Sequence, residues 1–192
     1  MQHATKTKLI ETGLEIMREK GFNNTGLSEV LSEAGVPKGS FYHFFKSKED
    51  FGEQILEHYA RANLAMTEAT LTQAGVSPLQ RMRAFFESAI DMCACNDYSG
   101  GCLIGNLTQE LADQNPKMSG ILERKWAQQR MLFQANLEEA QREGELSPAL
   151  SPGDLADFLI NAWQGAMMRM KLTHSDIPLR QFLAVTFTSL LR

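Results

Sequence analysis

From Thr5 to Lys20 the apolar positions Leu9, Ile10, Leu14 and Met17, with Gly13 among them, recur at steps of three and four, the spacing of one helical face. Gly21 ends that helix as a C-cap, and Phe22 turns back toward the core. Thr25 is the expected N-cap of a second helix ending near Ala34, with Leu27, Val30 and Leu31 on its buried side and Glu29 in its first turn, where the helix dipole favours an anion. Gly35 supplies a turn. Pro37 then fits the start of a short third helix over about Lys38–Phe44, because the N–H it lacks has no partner in a first turn. Phe41, Phe44 and Phe45 are expected to face inward, leaving Lys38, Ser40, Tyr42 and His43 outside.

The same periodicity continues to the end of the chain. Ser47, followed three residues later by Asp50, reads as a capping box opening a fourth helix that runs to about Leu71 through Phe51, Ile55, Leu56 and Tyr59. Ser77-Pro78 opens a fifth, carrying Met82, Phe85, Phe86, Ile90 and Cys93, and Leu103, Leu107 and Leu111 mark a sixth to about Gln114. Asn115-Pro116 starts a long seventh helix that stops at Gly144. Ser151-Pro152 starts an eighth, and Pro178 a ninth. No stretch alternates at period two over strand length, so the pattern predicts an all-α chain without a sheet.

Composition narrows the setting. With 43% hydrophobic residues over 192 positions, the chain can bury an ordinary core, either as one domain or as a small domain fused to a larger one. It has no run of roughly 20 apolar residues and no secretory h-region, which predicts a cytoplasmic protein. The three cysteines, Cys93, Cys95 and Cys102, make neither an even disulfide set nor paired zinc ligands, and read as reduced thiols. A formal net charge of -4 argues against nucleic acid only if charge is evenly spread. It is not. Gly35 to Lys48 holds Lys38, Lys46, Lys48 and His43 and no carboxylate. The tail from Met1 to Lys8 adds Lys6 and Lys8, expected as a flexible basic arm.

A short helix braced by phenylalanines on one side and cationic on the other suits the second helix of a helix-turn-helix, which enters the DNA major groove. Thr25-Gly26-Leu27-Ser28, then Ala34-Gly35-Val36-Pro37-Lys38-Gly39-Ser40-Phe41-Tyr42-His43-Phe44-Phe45 and Lys46-Ser47-Lys48-Glu49, resemble the DNA-binding domain of the TetR family of transcriptional repressors over about residues 5–55. The resemblance implies a nine-helix, all-α architecture. Residues 1–50 would form a three-helix DNA-binding domain, and 51–192 a helical domain for effector sensing and dimerisation. It also implies a homodimer on a double-stranded operator. Because a helix this short reads only a few base pairs, two copies spaced about 34–36 Å apart would demand a near-palindrome.

Carried over position by position, the family pattern puts Lys38 and Gly39 at base edges. Ser40 lies on the same outward face, while Tyr42, His43, Ser28, Thr25 and Lys48 would donate to phosphate oxygens. In the C-terminal part, Trp163, Gly165, Ala166, Phe182 and Phe187 offer large anchors beside small residues for a dimer surface. An interior with Met92, Met131, Met167, Met168, Met170, Trp126 and Trp163 would suit either core packing or an effector pocket.

Cys102 follows Ser99-Gly100-Gly101 at the expected start of the sixth helix, where a helix dipole favours the thiolate. Gly100-Gly101-Cys102-Leu103 is similar to a branch of the family that answers electrophiles or oxidants through a cysteine, and that similarity implies Lys171 on the eighth helix as the residue facing it. Ile104-Gly105-Asn106-Leu107 departs from that branch, and an inert buried cysteine is the competing reading.

No cofactor, metal site or catalytic residue is expected. Gly100-Gly101 lacks the Gly-Lys-Ser/Thr of a phosphate loop, His3, His43, His58 and His174 have no metal-ligand spacing, and there is no nucleophile elbow. The expected function is a DNA-binding regulator, most simply a repressor, released by a small molecule or by modification of Cys102. An all-helical thiol-dependent enzyme and an interaction protein without DNA affinity are the alternatives.

Overall fold

The computed structural model describes residues 2–191, with nothing of the Gln2 side chain, and Met1 of the expected arm lies outside them. Among the described residues there are nine α-helices and no strand: α1 Gln2–Lys20, α2 Leu27–Glu33, α3 Phe41–Phe44, α4 Lys48–Leu71, α5 Pro78–Ala94, α6 Leu103–Leu111, α7 Pro116–Arg142, α8 Pro152–Thr173 and α9 Ile177–Val185. A 3₁₀ turn, Lys38–Ser40, leads into α3, and a π-helical turn, Thr186–Leu190, follows α9. None of the described helices is long and apolar enough to cross a membrane. Lys6 and Lys8 do not lie in a free arm: α1 already begins at Gln2, and the Lys6 ammonium lies 5.7 Å from the centre of the Phe45 ring.

The helix ends follow the expected chemistry with one exception, at the start of α2. Ser47 Oγ accepts from the Asp50 amide at 3.2 Å, while Asp50 Oδ2 accepts from the Lys46 amide at 2.7 Å, a reciprocal cap on α4. That backbone bond, helped by Gln54, holds the Asp50 carboxyl below its ordinary range. Asn115 caps α7 through the Met118 amide at 3.1 Å, and Ser151 caps α8 through Asp154 at 3.3 Å. Ser77 makes no side-chain cap; the Leu79 amide at the start of α5 instead donates to Glu145 Oε2 at 3.0 Å. The N-cap of α2 is Gly26 rather than Thr25. Thr25 is buried, and its hydroxyl donates to the Gly21 carbonyl at 2.5 Å.

The chain forms two compact units. One comprises residues 1–63 and 103–125, the other 64–102 and 126–192. α6 and the first part of α7 thus pack in the same compact unit as α1, α2 and α3. In the first unit Leu9, Met17, Val30, Phe41, Phe45, Phe51 and Ile55 are buried. Lys117 and Lys125 on α7 pair with Glu53 and Glu57 on α4 at 2.9 and 2.7 Å.

In the second unit Phe86 is the centre of an aromatic cluster, with Phe182, Trp163 and Phe133 at ring-centroid distances of 4.8, 4.9 and 5.7 Å. The carbonyl of Leu71, at the end of α4, accepts from both Arg81 and Asn136 at 3.2 Å, and Arg81 also grips Glu139 at 3.0 Å.

Candidate nucleic-acid interface and sensor segment

The Lys38–Phe44 turn is short because its local chemistry stops it at both ends. α2 closes with a Schellman turn: the Val36 amide donates to the Leu31 carbonyl at 2.9 Å and the Gly35 amide to Ser32 at 3.1 Å, with Gly35 at φ +63°. A left-handed residue at that position favours glycine. Pro37 then accepts from the Ser40 amide at 2.9 Å, and the backbone at Phe45 is extended, ending α3 after one turn.

What orients this turn is aromatic packing. Phe41 and Phe45 stack on Phe51 of α4 with centroids 5.4 and 4.7 Å apart, near edge-to-face, and Phe41 and Phe45 lie 5.1 Å from each other. All three are buried, while Phe44 is only half-buried. With those rings inward, Lys38, Gly39, Tyr42 and His43 come to the surface, and Tyr42 keeps 72% of its area exposed. Ser28 is exposed on α2, and Ser40 is half-exposed. A Cβ built on Gly39 meets nothing within 4 Å. The fold itself does not require a glycine there.

Two expected phosphate contacts change. Thr25 is buried in the first unit, with its hydroxyl donating to the Gly21 carbonyl rather than lying on the surface. Lys48 is partly engaged: its ammonium donates to the Asn23 carbonyl at 2.9 Å and sits 5.0 Å from the Phe22 ring centre. An ammonium has three donors, so this bond orients Lys48 and leaves two free.

In the second unit the expected sensor residues are spread out. Cys102 is half-buried and immediately precedes α6, as its spacing predicts. The segment before it is tightly wound, with Asp97, Tyr98, Gly100 and Gly101 at φ +47°, +57°, +76° and +74°. Positive φ costs Asp and Tyr conformational energy that glycine avoids. Cys93 is half-buried and Cys95 exposed. Lys171 is exposed in the last turn of α8, and Trp126 and Met167 are half-buried against the aromatic cluster. The methionine-rich interior is only partial: Met170 is buried, but Met92, Met131 and Met168 are on the surface.

The expected dimer anchors also move. Trp163 and Phe182 are 4% and 9% exposed and are committed to Phe86, so neither offers a surface to a partner; Ala166 and Phe187 are half-buried against the same cluster. Among the residues α8 exposes are Phe158, Gly165, Met168 and Leu172, whose steps of seven, three and four keep one face of the helix beside polar Asn161 and Arg169, and α9 adds Ile177 and Val185. Periodicity alone located an apolar stripe. It could not say which of two stripes faces the chain's own core.

Comparison with known proteins divides the chain into two contiguous segments, whereas the compact units interleave along it. Residues 9–55 match the family described as bacterial regulatory proteins, tetR family. Residues 78–186 match the tetracyclin repressor-like C-terminal domain. The chain is 38% identical over 183 residues to the HTH-type transcriptional repressor DhaR of Mycobacterium sp. (strain GP1), covering 95% of this chain and 90% of DhaR. A regulatory protein TetR from Rhodobacter sphaeroides has a crystal structure that superposes with a TM-score of 0.87 at 35% identity, covering 92% of this chain and 93% of that one. The reduced form of E. coli NemR gives 0.84 at 32% identity, covering 94% of each chain.

Proposed function

Because the chain belongs to the TetR family of DNA-binding transcriptional regulators, we propose that it is a repressor that grips a near-palindromic operator as a homodimer and lets go when an effector reaches its C-terminal part. The observation that carries this reading is the outward face of the Lys38–Phe44 turn. Buried phenylalanines aim Tyr42, His43 and Lys38 into solvent, around a Gly39 whose missing side chain nothing inside the protein explains. A bare backbone flanked by donors and cations suits close approach to phosphate and base edges.

The second copy would cover the outward stripe of α8 and α9. Phe158, Met168 and Leu172 are 53%, 62% and 80% exposed on one face. Large apolar side chains exposed together on one helix face suit an association site. Gly165 lies on that face, and a Cβ there also meets nothing within 4 Å. A mid-helix glycine costs about 1 kcal/mol relative to alanine, a cost that close helix–helix approach would offset.

For release, Cys102 supports a thiol-based trigger. It is half-buried, precedes α6 directly and follows a tightly wound segment, and the chain is similar to a NemR solved in a form described as reduced. A tenfold loss of operator affinity requires about 1.4 kcal/mol of coupling between the two sites.

The deciding experiment selects bound duplexes from a random DNA pool and measures affinity against salt. A dimer neutralising several phosphates gives a steep negative slope. No retained duplex at low ionic strength, or a strictly monomeric protein, defeats the proposal. Treatment with N-ethylmaleimide, with modified cysteines located by mass spectrometry, should weaken wild-type binding and leave Cys102→Ser unaffected. Equal release of both proteins removes Cys102 from the trigger.

A further inference from the structure

The turn between α1 and α2 is held by a residue far along the chain. The amides of Phe22 and Asn23 both donate to one carboxylate, that of Glu110 on α6, at 2.8 Å to Oε2 and 2.7 Å to Oε1. Gly21 beside them has φ +78°, and a Cβ there would come within 2.5 Å of Glu110 Oε2. The carboxylate occupies space that any other residue at position 21 would claim. On the opposite edge of the same turn, Lys48 of α4 donates to the Asn23 carbonyl at 2.9 Å. The peptide is thus gripped by its N–H groups from α6 and by its carbonyl from α4. All of these residues lie within the first compact unit.

This grip matters because of where the turn leads. Within six residues it delivers the chain from Gly21 to Gly26, the N-cap of α2, and α2 ends in the Schellman turn that places Lys38–Phe44. Gly26 brings no side-chain cap of its own, so the start of α2 depends on what precedes it. α6 is seated by Leu103, Ile104, Leu107 and Leu111, all buried, and its first residue follows Cys102. Any shift of α6 along its axis would carry the Glu110 carboxylate away from both amides together. Bonds from N–H groups to an ionised acceptor are stronger than neutral ones, and two on one side chain fix its direction as well as its distance.

We propose that Glu110 is a positioning residue for operator binding: it touches no DNA itself, but through the Phe22–Asn23 backbone it lets α6 set the helix-turn-helix in its reading conformation. The proposal rests on the DNA-binding reading above.

The test uses full-length Glu110→Gln and Glu110→Ala on the selected operator. Glutamine keeps the size and one acceptor, but turns an NH₂ toward the second amide; alanine removes both acceptors. The dissociation constant should rise about tenfold for Glu110→Gln and further for Glu110→Ala. The slope of log affinity against log salt should stay at the wild-type value, because the phosphate-facing side chains are intact. Hydrogen exchange should quicken at Phe22, Asn23 and the first turn of α2, with α8 and α9 unchanged.

Wild-type affinity in a folded Glu110→Gln protein overturns the proposal. So does an affinity loss accompanied by faster exchange throughout the chain, which would make Glu110 merely a stabilising residue. Should Glu110→Ala fail to fold, Glu110→Gln decides alone. A wild-type protein that binds no duplex is a different result, and removes the DNA-binding reading itself.

Discussion

At the Lys38–Phe45 turn the rings of Phe41 and Phe45 go inward and the face left outside is polar and cationic. In α8 the ring of Trp163 goes inward, and the face left outside is Phe158, Met168 and Leu172. Both elements spend their largest side chains on their own unit. They differ in the second face, and under the proposed function that face is what each offers its partner: a hydrated polyanion for the first, a second copy of the chain for the second. Aromatic residues at helical spacing therefore locate a core. The residues between them identify the partner.

The sharpest way to break this contrast is to compare both faces of α8. Trp163→Ala removes a ring packed 4.9 Å from Phe86 and 5.2 Å from Phe182, and should cost about 3–5 kcal/mol of stability, seen as a large fall in the denaturation midpoint. Met168→Glu with Leu172→Glu should do the reverse. Circular dichroism should show the helices intact while light scattering shows a monomer, and operator binding should fall with the loss of the second reading head. If the double variant stayed dimeric, the outward stripe would not be the interface.

A smaller effect separates folding from reading in the other element. Gly39→Ala adds a methyl group into open space in a helical turn, and should leave stability unchanged or raise it by about 0.4–1 kcal/mol. Its operator affinity should nevertheless drop about tenfold. Unchanged affinity would mean that DNA does not approach the backbone at this position.

The smallest effect concerns the base of α4. The folded state holds the Asp50 carboxyl below its ordinary value, chiefly through the Lys46 amide. The contribution to stability is therefore fully present above the unfolded value of about 3.9, and is lost as the pH falls through the lower folded value. Asp50→Asn should lower stability at neutral pH by about 1 kcal/mol and flatten that acid limb in denaturant titrations.

Sequence made some of this legible because the signals are local. The α4 capping box, the Asn115 and Ser151 caps and the Gly35 turn each rest on residues within a few positions of one another, and each is found where the spacing places it. The inward phenylalanines follow from the same short-range periodicity, with Phe44 only half-buried at the edge. Long-range partners leave no such mark. Glu110 is an ordinary carboxylate on an amphipathic helix until the fold sets it against amides 87 and 88 residues away, and Glu145 reaches the start of α5 from 66 residues away in the same manner. Thr25 misleads for the opposite reason. It has the side chain of an N-cap, but α2 starts one residue later, at Gly26, and the Thr25 hydroxyl points back to donate to the Gly21 carbonyl.

The membership of α6 in the first compact unit bears on engineered hybrids. A graft that moves only residues 9–55 into another regulator would leave Glu110 behind, and the amides of Phe22 and Asn23 would meet whatever side chain the recipient's sixth helix happens to carry. Transplanted operator preference should hold where that position is glutamate and falter elsewhere, so the transferable module is a discontinuous one, the N-terminal helices together with the sixth.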